Sequence, residues 1–357
     1  MIYKNIIEGI VMNNKIIIRG NNNNYFEIID FMKGFSILTI VFMHLIQDYL
    51  TNVPALIQKA SSFGGTGVHI FFFCSGFGLF IMQRKKGYSF VEFIKSRFFK
   101  IYIPYIFVVL VSFFIPYMYN GDRIKALFSH IFLYKMFDSE LIISFGGHFW
   151  FISTIFQFYL IFILMYKIYC KIKAKKFLLL NFLISAIWWI FQIVFNFTNN
   201  MAIGYFCFQF IWEFALAFCL ADYLLKNKSI ELNRRIIAVM SVIGICIATA
   251  IIFIDGGKYK VLNDVPGFFG YICLCVFIYS LNCPILKKII LSTSKISYEL
   301  YLIHLLVFST VFFFFNLFKI NNLLVGMLSF FVSIVFAYII KIISSKIYNL
   351  IYDKLYI

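Results

Sequence analysis

Apolar segments of membrane-spanning length alternate with short polar segments along almost the whole chain. Each apolar segment is close to the ~20 residues that a helix needs to cross the hydrocarbon of a bilayer. The pattern therefore predicts an all-α integral membrane protein with about ten transmembrane helices. The ten predicted spans are approximately 33–50, 66–83, 101–119, 149–166, 177–195, 202–225, 236–254, 267–282, 299–318 and 323–343.

Lysine and arginine are concentrated in every second connecting segment. When the N-terminus is placed in the cytoplasm, 25 of the 32 Lys and Arg residues fall in cytoplasmic segments and the other 7 in outer segments. Basic residues are enriched on the cytoplasmic side of membrane proteins, so this distribution predicts that both termini are cytoplasmic. The net charge of +17 is then explained by topology and by contact with anionic membrane lipid, and we predict no nucleic-acid partner.

The composition leads to the same class of protein. The chain is 62% hydrophobic and 13% charged, which is more apolar surface than a soluble chain of 357 residues can cover. We predict a polar cytoplasmic N-terminal segment over 1–32, without a cleaved signal peptide, and one membrane domain over 33–357. The eight cysteines lie mostly in apolar segments. Because the closest pair, Cys273 and Cys275, has no companion pair, we predict no metal site.

The longest outer segment, 117–148, contains apolar residues at helical spacing. This spacing predicts an amphipathic helix that lies on the outer membrane surface. The apolar positions of this helix are Ile124, Leu127, Phe128, Ile131, Phe132, Met136 and Phe137.

The first span carries ionisable residues on one helix face. Lys33 precedes His44 by eleven residues, which is three helical turns plus about 20°, and Asp48 follows one turn later. A neutral imidazole can act as a general base near neutral pH, and a carboxylate one turn away can orient the ring. The alternative is a buried histidine that hydrogen-bonds a neighbouring helix, and spacing alone leaves both open.

The other candidate residues lie near the ends of later spans. Arg97 and Lys100 share a helix face at the cytoplasmic edge and can bind phosphate groups, or they serve only as a topology signal. Five further polar or aromatic residues in or near the spans are candidates for substrate contact, with packing or an interfacial aromatic belt as the alternative. They are His148, Trp150, Glu213, Tyr301 and His304. We interpret His69 as a polar rim residue.

Taken together, these residues resemble the acyltransferase-3 family. The ordered matches are Asp30-Phe-Met-Lys33-Gly34 with His44, then Gly67-Val-His69-Ile-Phe-Phe72 through Ser75-Gly76-Phe77, Arg97-Phe-Phe-Lys100 with Pro104, His148-Phe-Trp150-Phe151 with Gln157 and Tyr159, and Ser297-Tyr298 with Tyr301-Leu-Ile-His304. Lys33 and Lys100 stand where the family has arginine. Lysine keeps the charge but loses the two-pronged geometry of the guanidinium group.

The resemblance implies a multi-pass enzyme of the cell membrane, most typically the bacterial cytoplasmic membrane. Such enzymes move an acyl group, usually acetyl, from a coenzyme A thioester to a hydroxyl of a cell-surface glycan or glycolipid precursor. His44 would be the catalytic base, and Lys33, Arg97 and Lys100 would hold the donor phosphates. The partners implied are acyl-coenzyme A as a substrate, a glycan or glycolipid acceptor and membrane lipid, with no permanently bound cofactor.

Two other classes of function remain open on the sequence. A transporter or flippase of an envelope glycan intermediate would line a path with His44, Glu213 and His304. Internal repeats and broken helices would favour it, and the sequence shows no long repeat. A non-catalytic partner in glycan assembly would use the same polar face for packing, and enzymatic activity of the purified protein would separate it from the enzyme.

Overall fold

The computed structural model describes residues 14–21, 24–50, 53–252, 254, 259–316, 318 and 320–355. Residues 1–13 of the predicted polar N-terminal segment lie outside this part of the chain. The helices are α1 Glu27–His44, α2 Ala55–Ser61, α3 Gly67–Lys86, α4 Phe90–Phe114, α5 Arg123–Ile131, α6 Trp150–Lys171, α7 Ala174–Val194, α8 Met201–Gly204, α9 Ile211–Asn227, α10 Arg234–Ile252, α11 Asp264–Ser280, α12 Pro284–Ser294, α13 Ser297–Asn316 and α14 Asn322–Leu355.

The predicted all-α, polytopic membrane architecture is confirmed. Among the described residues, nine helical segments are long and apolar enough to cross a membrane. Most predicted spans coincide with one of them to within a few residues. The sixth predicted span differs in length. It was predicted over 202–225, but the corresponding helix, α9, has only 17 residues.

The sixth predicted span is shortened because its first part folds separately. The Asn200 side chain accepts a hydrogen bond from the backbone N–H of Ile203 and starts the single turn α8. Phe206 then adopts an extended conformation, which ends helical continuity. The Tyr205 ring stacks on Trp150 with 3.9 Å between ring centroids. Packing against α6 therefore outweighs the helical hydrophobic pattern here.

Two further helices begin earlier than predicted. α4 begins at Phe90, eleven residues before the predicted start, because Ser89 and Glu92 form a capping box. α1 begins at Glu27, six residues before the predicted start of the first span. Because of the early start of α4, Arg97 and Lys100 of the predicted phosphate site lie well inside this helix.

A small antiparallel sheet lies before α1. Strand β1, Lys15–Arg19, pairs with strand β2, Ser229–Asn233, so that Lys15 is opposite Asn233 and Arg19 opposite Ser229. The sequence analysis predicted no strand in the polar N-terminal segment. The pairing ties this segment to the connection between α9 and α10.

The amphipathic helix of the outer segment is shorter than predicted. α5 starts where the Asp122 side chain accepts two backbone N–H groups, and it ends at Ile131. Leu133 has a φ of +60°, a left-handed conformation that a helix cannot contain. Met136 is fully buried, so its predicted place on an exposed apolar face is wrong. The remaining exposed apolar residues are Ile124, Phe128, Phe132 and Phe137.

α1 packs against α3, α11, α12 and α13, and glycines allow the closest of these approaches. A Cβ atom added at Gly34 would collide with the carbonyl oxygen of Ile290 in α12. Because that oxygen belongs to the backbone, no change of side-chain rotamer can relieve the collision. Gly34 therefore sets the distance between α1 and α12.

Replacing Gly34 with alanine is expected to destabilise the fold by about 1–3 kcal/mol, since the added methyl group overpacks a rigid contact. Thermal unfolding in detergent measures the effect as a lowered transition temperature. Gly78→Ala in α3 is the matched control, because a Cβ atom there would meet no atom within 4 Å. Equal stability of both variants would contradict the close approach of α1 to α12.

Candidate active site

Two cavities lie toward opposite ends of α1. The first, here called the basic cavity, has a volume of about 650 Å³ and is lined by residues near the start of α1. Glu299 is the only acidic residue among its described lining residues. The cations that line it are Lys33, Arg97, Lys100, Lys295 and Lys341.

The second cavity, here called the histidine cavity, has a volume of about 740 Å³ and is lined by residues near the end of α1. His44, His69 and His148 contribute imidazoles, and Asp48 and Asp264 contribute carboxylates. The Trp150 ring also lines this cavity. The two cavities thus differ in chemistry, since one is dominated by cations and the other by imidazoles and carboxylates.

Tyr301 of α13 lines both cavities. Its hydroxyl donates a hydrogen bond to the backbone carbonyl of His148. This contact joins α13 to the turn that precedes α6. Tyr301 is therefore a wall residue that the basic cavity and the histidine cavity share.

His44 is the last residue of α1 and is followed by a π-helical turn, Leu45–Tyr49. Asp48 lies one turn after His44 and beside its imidazole, with 3.1 Å between Oδ2 and Nδ1 of His44. Because a carboxylate oxygen only accepts, Nδ1 carries the proton in this arrangement. Nε2 makes no hydrogen bond to any described residue, and the side chain is 22% exposed. His44 therefore presents a basic nitrogen at the cavity.

The imidazole of His304 lies next to that of His44, and the imidazole of His148 lies next to that of His304. The ring centroid of His304 is 5.2 Å from that of His44 and 5.1 Å from that of His148. The Nδ1 atom of His304 lies 2.8 Å from the carbonyl oxygen of Tyr301, and Nε2 of His148 lies 3.2 Å from that of Leu302. Carbonyl oxygens only accept, so these two nitrogens carry protons.

The opposite nitrogens of the two rings are consequently unprotonated. Nε2 of His304 and Nδ1 of His148 are buried and have no hydrogen-bond partner among the described residues. His44 and His148 line the histidine cavity, whereas His304 is fully buried and is not among the lining residues. Acceptor nitrogens at such a cavity are suited to bind and deprotonate a hydroxyl group.

Glu213 was predicted as a residue that contacts substrate, and the structure places it behind His69. The side chain is fully buried, and Oε1 lies 2.6 Å from Nδ1 of His69. His69 in turn lines the histidine cavity. Any influence of Glu213 on a ligand in that cavity is therefore transmitted through His69.

The sequence analysis missed several residues of the two cavities. His69 lies near the start of α3 as expected, but it is bonded within the wall and is only 16% exposed, so the interpretation as a rim residue is wrong. Asp264, Lys295 and Lys341 were not singled out. Each is far from His44 in sequence and lies in no pattern that marks it as functional.

The outer segment supports the position of His148. Nζ of the buried Lys135 lies 3.1 Å from the carbonyl oxygen of Ser144 and 3.0 Å from that of Gly146. Gly146 has a φ of +136°, which favours glycine, and it starts the turn that carries His148. Burial lowers the pKa of Lys135 to about 7.

A neighbouring histidine also stabilises the segment that positions His148. The imidazole of His130 is buried, with Nδ1 2.7 Å from the Tyr105 hydroxyl and Nε2 3.1 Å from the carbonyl oxygen of Ser144. Burial, followed by the nearby charge of Lys135, holds the pKa of His130 well below its usual value. A neutral His130 can donate to the Ser144 carbonyl from Nε2 while Nδ1 accepts from Tyr105.

Comparison with protein families gives one decisive match. The family model Acyl_transf_3, described as an acyltransferase domain, matches residues 26–342. The chain belongs to the acyltransferase-3 family. The match begins one residue before α1 and ends within α14. The histidine cavity of this membrane acyltransferase lies wholly inside the matched region, and so does the basic cavity except for its lining residues Ser344, Ser345, Tyr348 and Asn349. Comparisons with curated proteins and with solved structures gave no match.

Proposed function

We propose that this acyltransferase moves an acetyl group from acetyl-coenzyme A to a hydroxyl of a cell-surface glycan or glycolipid precursor. The observation that carries the proposal is the pair of cavities that share Tyr301. One cavity has the charge to bind a donor with several phosphate groups, and the other has a base for an acceptor hydroxyl. A reaction between the two ligands would take place where the cavities meet.

The basic cavity is suited to the donor. Lys33 of α1 is held by Asp30, with 3.1 Å between Nζ and Oδ1. Arg97 contacts the Met82 sulfur, and its Nε atom is buried without a partner among the described residues. Phosphate oxygens would satisfy such donors through charge-assisted hydrogen bonds. The excess of basic residues at this end supports a cytoplasmic position for the cavity, on the side where acyl-coenzyme A is made.

The histidine cavity is suited to the acceptor. In the proposed step Nε2 of His44 takes the proton of the acceptor hydroxyl while its oxygen attacks the thioester carbonyl carbon. The bond between carbon and sulfur breaks, and the departing thiolate takes up the proton from the imidazolium. Asp48 holds Nδ1–H throughout and stabilises the positive charge of the ring.

The test uses wild-type protein in lipid nanodiscs with acetyl-coenzyme A labelled in the acetyl group and a lipid-linked glycan fraction. We expect thiol release together with label in the glycan that mild alkali removes, because esters are alkali-labile. Alkali-stable label would indicate transfer to an amine and contradict the hydroxyl acceptor. Unchanged acetyl-coenzyme A with a well-folded protein would contradict the donor and favour the transporter.

A further inference from the structure

Three metal-ligating side chains from three different helices meet at the wall of the histidine cavity. His69 comes from α3, Glu213 from α9 and Asp264 from the start of α11. Each offers one ligand atom, and these atoms lie within 4.8 Å of one another. None of the three has a role in the acyl transfer proposed above, so their convergence calls for a separate explanation.

The hydrogen bond between His69 and Glu213 determines which nitrogen of the His69 ring faces Asp264. Nδ1 lies 2.6 Å from Oε1 of Glu213, a hydrogen-bond distance at which the ring donates to a carboxylate. In the neutral ring Nε2 is then unprotonated, and it faces Oδ1 of Asp264 at 3.7 Å. Two atoms with only lone pairs to offer repel one another unless a cation lies between them.

Asp264 is also held in position from behind. Gln192 donates its amide N–H to Oε1 of Gln209 at 2.7 Å, which leaves the amide nitrogen of Gln209 to face Asp264. Gln209 donates to Oδ2 of Asp264. This chain of amides leaves Oδ1 of Asp264 free to bind a ligand, and it orients that oxygen before any ligand arrives.

The charges of the cluster are not balanced by the protein. Glu213 is fully buried and its Oε2 atom has no hydrogen-bond partner among the described residues. No lysine or arginine forms an ion pair with either carboxylate in the part of the chain that the structure describes. A buried carboxylate without a cation is costly at membrane depth, so the cluster has a deficit of positive charge.

We propose that His69 and Asp264 bind a divalent metal ion at the wall of the histidine cavity, with Glu213 orienting the imidazole. Two ligand atoms on a common ion at about 2.1 Å are separated by roughly 3 to 4 Å, which fits Nε2 and Oδ1. A carboxylate that accepts from the other ring nitrogen is the usual support of a metal-binding histidine. The open side of the ion faces the cavity, where water or substrate oxygen atoms complete the coordination.

The nature of the ligands selects the metal. A nitrogen ligand combined with carboxylates suits Zn²⁺, Co²⁺ or Mn²⁺ better than Ca²⁺ or Mg²⁺, which prefer oxygen ligands only. His69→Asp is therefore expected to keep a site but to shift its preference from Zn²⁺ towards Mn²⁺ and Mg²⁺. Such a shift in metal preference would identify His69 as a ligand, because replacing a residue that only packs would leave the metal preference unchanged.

The experiment measures metal binding and needs neither donor nor acceptor. Full-length protein with a tag free of histidine is stripped with chelator, incubated with Zn²⁺ or Co²⁺, and analysed for bound metal and for the absorption of Co²⁺. We expect about one ion per chain. Affinity should fall about 10- to 100-fold in Glu213→Gln and at least as much in Asp264→Asn. Glu140→Gln, an exposed acid on the outer segment, is the matched control and should bind as wild type does.

Three outcomes would overturn the proposal. The first is a folded wild-type protein that binds no stoichiometric metal, which would mean that shared protons hold the cluster together. The second is unchanged affinity in Asp264→Asn. The third is identical metal preference of the wild type and His69→Asp. Since folding is checked in each case by the thermal transition of the purified protein, none of these results can be attributed to loss of structure.

Discussion

Replacing His44 with alanine is expected to lower the rate of acyl transfer by about 10²- to 10⁴-fold, the usual contribution of a general base. The protein should remain folded, because the His44 side chain is partly exposed and, among the described residues, forms a hydrogen bond to Asp48 alone. The substitution removes the nitrogen that faces the histidine cavity without changing the basic cavity. Donor binding should therefore persist in the variant, which separates loss of chemistry from loss of structure.

The measurement is the initial rate of acetyl transfer, with acetyl-coenzyme A binding determined on the same preparation. Asp48→Asn should give a smaller loss, since the ring stays in place but its protonation at Nδ1 is less favoured. Gln47→Ala is the matched control, because Gln47 is the exposed neighbour of Asp48 in the same π-helical turn. Normal transfer by His44→Ala would exclude His44 as the base.

The pairing of His44 with Asp48 shows what local sequence can predict. The two residues are four apart, so any helical turn brings their side chains together, and the π-helical geometry changes this little. The membrane spans were predictable for a similar reason, since length and hydrophobicity are local properties. The shortened sixth span was not, because α8 and Tyr205 owe their conformation to packing on Trp150.

Contacts across the bundle account for most of what the sequence analysis missed. His304 and His148 were named as candidates, but the contact of His304 with His44 depends on α13 packing beside α1, and His148 reaches His304 from the turn before α6. The cluster of His69, Glu213 and Asp264 combines one residue from each of three helices, and no spacing in the chain relates them. The prediction that the chain holds no metal site considered cysteine spacing only, and these residues lie outside such a pattern.

The basic cavity also extends beyond the predicted residues. Lys33, Arg97 and Lys100 were identified by their place in the family pattern, and all three line the cavity. Lys341 of α14 and Lys295 of the connection between α12 and α13 join them. Lys33 and Lys100, which stand where the family pattern has arginine, thus share the cavity with two additional lysines. Charge, rather than the shape of a guanidinium group, would then dominate recognition of the donor.

Removing the two cations of α4 that line the basic cavity, in Arg97→Ala/Lys100→Ala, is expected to weaken acetyl-coenzyme A binding by about 100-fold or more. Each hydrogen bond to a charged group contributes roughly 1.5–3 kcal/mol, and the double variant removes two such donors from one wall of the basic cavity. Isothermal titration calorimetry on detergent-purified protein measures the change. Because screening by salt weakens interactions between charges, wild-type affinity should also fall as ionic strength rises.

The matched control is Lys175→Ala/Lys176→Ala, which removes the same net charge from the exposed start of α7, away from the cavity lining. If binding depends on the geometry of the basic cavity, only the α4 variant loses affinity. If both variants lose affinity equally, donor binding reflects the overall positive charge of this end of the protein. A well-folded wild type that binds no acetyl-coenzyme A would show that the basic cavity serves another anionic ligand. The role of His44 would then have to be tested with that ligand in place of the thioester.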